Sequence, residues 1–247
     1  MKILRTFIPL ASSLVLLAPD ALAQSVDLGA LLPQGSGSAT GRIVQMAAVL
    51  TVLSVAPGLL VMVTSFTRFA VALSFLRSGV GLQSTPANLV LISLALFMTF
   101  FVMSPVFERS WTEGLRPLLD NEIVEREALP KIAQPFREFM LSQVRDKDLA
   151  MFQDLAHGDL RAPERAETDL RVLVPAFMIS ELRRGFEIGF LIILPFLVID
   201  MIVSTLTMSM GMMMLPPSVI ALPLKVLFFV LIDGWNMVIG SLIRSYG

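Results

Sequence analysis

The sequence predicts an all-α fold: a multi-helix, membrane-associated subunit with hydrophobic helical hairpins and a polar helical domain. Three observations lead there. The 247 residues have a mean hydropathy of +0.77, with 55% hydrophobic and only 16% charged side chains, whereas roughly a quarter of a soluble domain is charged. The apolar residues gather in four long runs, and in lipid such runs satisfy their backbone polar groups as helices. None of them shows the period-two alternation of a membrane barrel.

Composition removes several functional classes. A formal charge of -1, from 19 basic and 20 acidic side chains, argues against a nucleic-acid binder that works by neutralising phosphates. The chain has no cysteine, which excludes disulfides, Cys-ligated zinc and iron–sulfur clusters. Its single histidine, His157, has no companions for metal or acid–base chemistry. The expectation is therefore no catalytic residue, no cofactor and no metal.

The elements follow in order. Residues 1–23 read as a cleaved signal peptide: Lys2 and Arg5, then an apolar stretch, then Ala21-Leu22-Ala23 before Gln24. An apolar stretch of about twelve residues is too short to cross a hydrocarbon layer of roughly 30 Å. Residues 24–42 read as a flexible linker, with Pro33, Gly35 and Gly37 among serines. Residues 43–107 hold the first pair of hydrophobic helices, separated by a basic loop over 64–86 with Arg68 and Arg77 and no acid. The run 43–63 is uncharged and as a helix measures about 31 Å. Residues 108–187 carry 16 acids and 12 bases, 28 of the chain's 39 formal charges. Within them Phe136, Phe139, Met140 and Val144, then Leu149, Phe152 and Leu155, recur at helical spacing. This block reads as a polar helical domain outside the membrane, on the periplasmic side. The Arg68 and Arg77 loop falls on the cytoplasmic side by the positive-inside tendency. Residues 188–247 form a hydrophobic helical hairpin with a methionine-rich tip.

The polar residues inside these runs are the candidate sites. Asp200, Lys225 and Asp233 interrupt the last two runs, where an unpaired charge is costly. A turn near Met212 and Met213 brings Asp200 and Lys225 to the same depth, so these two are expected to pair; Asp233 has no obvious mate. Pairing either fixes helix register beside a central passage or is structural only. Pro57, Pro195 and Pro223 are expected to bend three helices, and Gly185 and Gly189 to admit a close neighbour. Five of the seven residues 208–214 are methionine. Three in a row, Met212, Met213 and Met214, exceed what one helical face buries. From their chemistry alone, a flexible pore seal, interface packing and a lipid-contacting tip all remain open.

Several ordered blocks carry a resemblance. Thr64-Ser65-Phe66-Thr67-Arg68 leads through Leu73-Ser74-Phe75-Leu76-Arg77 to Gly81-Leu82-Gln83-Ser84-Thr85-Pro86-Ala87-Asn88. Pro175-Ala176-Phe177-Met178-Ile179-Ser180-Glu181-Leu182 leads through Gly185-Phe186-Glu187-Ile188-Gly189-Phe190 to Pro195-Phe196-Leu197-Val198-Ile199-Asp200 and the methionine tip. Leu222-Pro223-Leu224-Lys225 and Asp233-Gly234-Trp235 complete the pattern. From about residue 43 to the end, the chain resembles the FliP family of flagellar export-gate proteins, whose injectisome relatives are called SctR, SpaP or YscR-like. Ser78-Gly79-Val80, Ala87 and the double proline Pro216-Pro217 depart locally from the usual pattern.

The resemblance implies a core subunit of the type III flagellar protein-export gate in the bacterial inner membrane, within the flagellar basal body. It implies five copies of the chain joined by FliQ-like and FliR-like subunits, with FlhB and FlhA nearby, passing unfolded flagellar export substrates. It also implies that Met212, Met213 and Met214 form the pore gasket, and that much of the assembly sits above the plane of the membrane. The signal and the large outside loop favour the flagellar branch over an injectisome export-gate homologue. The competing readings are an ion or small-solute transporter, for which no internal repeat is found, and a passive assembly scaffold.

Overall fold

The computed structural model describes residues 39–82, 87–157, 165–211 and 216–247. The expected signal peptide, most of the linker, the glycine and proline at 158 and 163, and the methionines at 212–214 lie outside the described residues. The described chain is helical throughout. Its elements are α1 (Ala39–Met62), α2 (Phe66–Val80), α3 (Asn88–Ser110), a π-helical stretch (Trp111–Leu115), α4 (Arg116–Leu119), α5 (Glu125–Gln143), α6 (Asp146–His157), a short 3-10 turn (Arg165–Glu167), α7 (Leu170–Ser209), α8 (Pro217–Leu231) and α9 (Gly234–Arg244). The chain divides into two compact units, residues 1–55 and 56–247. Of the first, the described part is the beginning of α1, which starts at Ala39, inside the stretch read as linker.

The second unit is organised along α7. This helix runs 40 residues without a break, about 60 Å. Asp169 starts it, its carboxylate accepting the N–H of Arg171 at 3.0 Å. Its first half belongs to one apolar core, in which Val172, Leu173, Ala176 and Phe177 meet Met140 and Val144 at the end of α5 and Leu149 of α6. Its second half belongs to another. There Phe196 joins Phe69, Ala72, Leu73, Leu76 and Val80 of α2, Ala95 and Met98 of α3, Phe229 of α8, and Val238 and Leu242 of α9. The boundary expected at residue 187 is therefore not a break in the chain; polar and apolar halves share one helix.

Two glycines let α2 lie close on α7. A Cβ at Gly189 would stand 2.6 Å from the Phe75 ring, and one at Gly185 would stand 3.0 Å from Val71. The small-residue pair thus serves contact within the chain. Gly81, at φ 85°, ends α2 in the left-handed conformation, its N–H returning to Ser78 O and that of Leu82 to Arg77 O. A second close approach joins α3 to α5. Gly114, in the π-helical stretch, faces Ile132, whose side chain and backbone nitrogen would lie 2.5 and 2.8 Å from an added Cβ. Ser110 Oγ donates to Ile132 O at 2.8 Å. Arg109 Nη1 bonds Glu138 at 2.6 Å, and that guanidinium holds the Glu138 carboxyl below the usual carboxylate range.

The prolines do not set the sharp bends. Pro195 and Pro223 sit inside the continuous α7 and α8, while α8 and α9 part by 65° at Ile232 and Asp233, where there is no proline. Of the polar-block positions at helical spacing, Met140, Val144 and Leu149 are buried and Phe139 and Phe152 pack against them, but Leu155 faces outward. Two described helical stretches, Asn88–Leu119 and Leu170–Ser209, are long and apolar enough to cross a membrane, or up to four if each bent pair counts as one span. Their apolar windows are only 28% and 17% buried within the chain, so most of that surface is left for lipid or for other subunits.

Close packing at Gly189 makes a direct test. Gly189→Ala forces the Phe75 ring to move and is expected to cost about 1–3 kcal/mol, read as a lower thermal midpoint of the purified protein in detergent.

Candidate functional site

Two charge clusters, one fully buried and one partly covered, tie the helices together at opposite ends of α2. The first is centred on Arg68. The sequence placed this residue in a basic cytoplasmic loop; the structure places it in the first turn of α2 with no solvent exposure. Its Nε donates to Glu181 Oε2 at 3.0 Å and its Nη2 to Glu181 Oε1. Nη1 donates to Ser245 O at 2.9 Å and Ser245 Oγ at 3.0 Å, and Nη2 also to Gln143 Oε1 at 3.2 Å. All five guanidinium N–H groups thereby have acceptors, the condition for burying so large a charge. The Tyr246 ring lies under the guanidinium, 3.6 Å from Cζ to centroid, and its hydroxyl donates to Glu181 Oε2. Arg184 Nη1 shares Gln143 Oε1 at 2.9 Å.

This node corrects the loop reading. Residues 66–80 are a helix packed on α7, and Arg68 touches Gln143 and Glu181, both in the block assigned to the opposite side of the membrane. Counted by segment, Arg68 is a free cation. Glu181, 113 residues later, cancels that charge. Glu181, Gln143, Ser245 and Tyr246 were not singled out as site residues, because an acid within a charged block has no local mark. The one available signal was that Tyr246 is the chain's single tyrosine.

Burial, and next the Glu181 carboxylate, push the Tyr246 phenol far above its ordinary range. Both favour its neutral, hydrogen-bond-donating form. Aromatic contacts extend the node: Tyr246 meets Phe69 edge-on at 5.4 Å and stacks with Phe139 at 5.9 Å.

The second cluster lies toward the other end of α2. Lys225 Nζ donates to Asp200 Oδ2 at 2.6 Å and to Gly79 O at 3.0 Å. The hairpin thus brings α7 and α8 into register where reflection about the methionine tip puts them. The lysine side chain is 9% exposed and the aspartate 40%, so the pair has one covered and one accessible member. Arg77, at the end of α2, reaches Leu82 O at 3.3 Å and Asn88 Oδ1 at 2.7 Å, tying α2 to the start of α3.

Within the described chain, Asp233 joins neither cluster. It is exposed, with φ 51° and ψ 50°, and its carboxylate accepts a hydrogen bond from Asn236 Nδ2 at 3.1 Å. The left-handed backbone at this position turns α8 into α9, a role that residue-type reasoning about buried acids cannot anticipate. Among the described residues no group of three or more His, Asp or Glu stands together as a metal site.

Comparison with known proteins gives a consistent picture. The model of the FliP family matches residues 49–242. The chain is similar to the flagellar biosynthetic protein FliP of Agrobacterium fabrum, 61% identical over 215 residues, which covers 86% of this chain and 87% of that one. The corresponding protein of Rhizobium meliloti is 58% identical over 231 residues, with 91% and 92% covered. That of Bacillus subtilis is 50% identical over 203 residues, with 82% and 91% covered.

Removing one member of the Arg68 node leaves the other charge buried alone. Arg68→Met is expected to cost about 3–5 kcal/mol, and the double variant Arg68→Met/Glu181→Met to recover much of it; chemical unfolding of the four proteins of this cycle gives the coupling. The phenol supplies a second readout, since no other tyrosine contributes to a phenolate absorbance titration. Tyr246 is expected to resist ionisation at about pH 10, where a free phenol titrates, and to ionise there once the chain is denatured. Because the folded phenol holds its proton more tightly than the unfolded one, its contribution is complete below about pH 10 and is lost as pH rises beyond it.

Proposed function

The chain belongs to the FliP family and is a core subunit of the type III flagellar protein-export gate in the bacterial inner membrane; on that premise we propose that it forms and seals the channel for unfolded flagellar proteins. The role is conduction rather than catalysis. The observation that carries the reading is the combination at the α7–α8 hairpin of an internal charge pair with outward faces left bare. Lys225 and Asp200 fix the two limbs in register. Around them Leu197, Val198, Met201, Ile202, Leu224 and Leu227 stand exposed. A hairpin that satisfies its own charges while leaving a broad apolar surface suits a subunit repeated around an axis, with copies burying one another's faces.

In this reading five copies combine with FliQ-like and FliR-like subunits, with FlhB and FlhA nearby. Met212, Met213 and Met214, between the limbs, act as the gasket. Thioethers are flexible and uncharged, so a ring of them closes against water and repacks around a passing polypeptide of any sequence. The polar block, residues 108–187, stands on the periplasmic side. Opening is a shift between assembled states whose balance is set by what each state binds. Energy enters through partners, since no phosphate-binding Gly-Lys-Ser or Gly-Lys-Thr occurs in the chain.

Photo-crosslinking from position 213 during stalled export, with mass determination of the assembly, tests the reading. Cargo adducts and five copies per complex are expected; adducts only from neighbouring lipid or from static subunits would leave a scaffold. Replacing Met212, Met213 and Met214 together by alanine is expected to raise resting ion leakage through the assembled gate while export continues. Unchanged leakage, export and assembly would remove the gasket role.

A further inference from the structure

The break between α8 and α9 joins a strained backbone to an apolar pocket. Asp233 is one of two non-glycine residues with positive φ among the described residues, a conformation that aspartate tolerates better than most side chains but that still has a cost. The limbs are in hard contact: a Cβ at Gly234 would stand 2.2 Å from the Phe229 ring. Beside that contact, and partly open to the surface, lies an apolar pocket of about 270 Å³, lined by the same Phe229 and Gly234 together with Ile232, Met237 and Val238, and by Ile192 and Phe196 of α7. A cavity of roughly 150 Å³ accepts a benzene ring, so this one has room for a displaced aromatic side chain.

The two limbs are anchored unequally. Beyond the end of α9, Ser245 and Tyr246 are held by Arg68 and Glu181, whose side chains have no solvent exposure. Among the charged contacts described for α8, Lys225 alone ties it to α7, and its partner Asp200 is 40% exposed. Water or another polar group can compete for Asp200 in a way that is closed to Glu181.

We propose that residues 232–234 are a hinge on which α8 swings while α9 stays fixed, and that the Lys225–Asp200 contact is the latch that releases it. This rests on the gate reading and names the moving part within it. Release of Lys225 from Asp200 and Gly79 frees the limb, the cavity takes up Phe229 and Ile232, and Asp233 absorbs the rotation.

The cysteine-free chain makes the test clean. Spin labels are placed on Ser74→Cys and Leu227→Cys to follow α8 against α2, and on Ser74→Cys and Met237→Cys to follow α9. One labelled copy is diluted among unlabelled copies in the assembled gate. Distances are measured by pulsed electron resonance at rest and with a cargo chain stalled inside, and again in Asp200→Asn and Asp233→Gly. The 74–227 distribution is expected to gain a displaced second population with stalled cargo and in Asp200→Asn, and to broaden in Asp233→Gly, while 74–237 keeps one peak throughout. A single unchanged 74–227 peak with cargo stalled overturns the hinge even if Asp200→Asn fails to assemble, as does equal movement of both pairs. Crosslinking from position 213 on the same stalled sample separates the two claims: cargo adducts with an immobile α8 leave the gate reading standing without the hinge, and no adducts remove the gate reading itself.

Discussion

Burying the Arg68 guanidinium is the constraint from which the arrangement of the other helices follows. A charge of that size, removed from water, costs several kcal/mol unless its donors are met, and here they are met by residues from three different parts of the chain. Glu181 comes from α7, Gln143 from the end of α5, and Ser245 and Tyr246 from the residues after α9. None of these segments can shift alone without stranding a donor. The node lies between the two apolar cores and is touched by residues of both, Phe69 from one and Phe139 from the other. Dispersion and apolar burial supply the bulk of the attraction, but they are indifferent to register; five directed hydrogen bonds are not.

The second cluster follows the same logic with less at stake. Lys225 is covered and has two acceptors, Asp200 and the carbonyl of Gly79. That carbonyl belongs to the last turn of α2, so the lysine binds the hairpin to the same helix that carries Arg68. Helix α2 is short, 15 residues, and each end meets a charge cluster. It is fixed against α7 by Gly185 and Gly189 between them. A segment whose residue types suggested a loop is instead the piece against which the hairpin is aligned.

How much of this was legible in the sequence depended on the distance over which each signal acts. Long apolar runs and helical periodicity are local, and the helices they imply are present. The Asp200–Lys225 contact spans 25 residues and was within reach because a single turn separates its partners and helix geometry converts numbering into depth. Arg68 and Glu181 are 113 residues apart, with four α-helices between, and no periodicity relates them. The same holds for Tyr246, which lies 181 residues from Ser65, whose carbonyl its hydroxyl also approaches at 3.3 Å. Asp233 is hard to read for a different reason. An acid in an apolar run was weighed as a charge in need of a mate, while its backbone conformation, which residue type specifies only weakly, sets its role. The role of the three methionines rests on chemistry and family resemblance together, since their side chains alone are compatible with more than one surrounding.

Helix α7 passes through both apolar cores without interruption, and that continuity makes it a strut. Its outer half is clamped by the polar helices and its inner half ends at Ser209, shortly before the run of methionines in the sequence. Over a length of about 60 Å, a tilt of a few degrees imposed on the outer end displaces the inner end by several ångströms. A protein binding only the periplasmic helices would thus act on the far end of α7 without approaching it, and how faithfully that push arrives would be set by how stiff the helix stays across Pro175 and Pro195, each of which lacks a backbone donor.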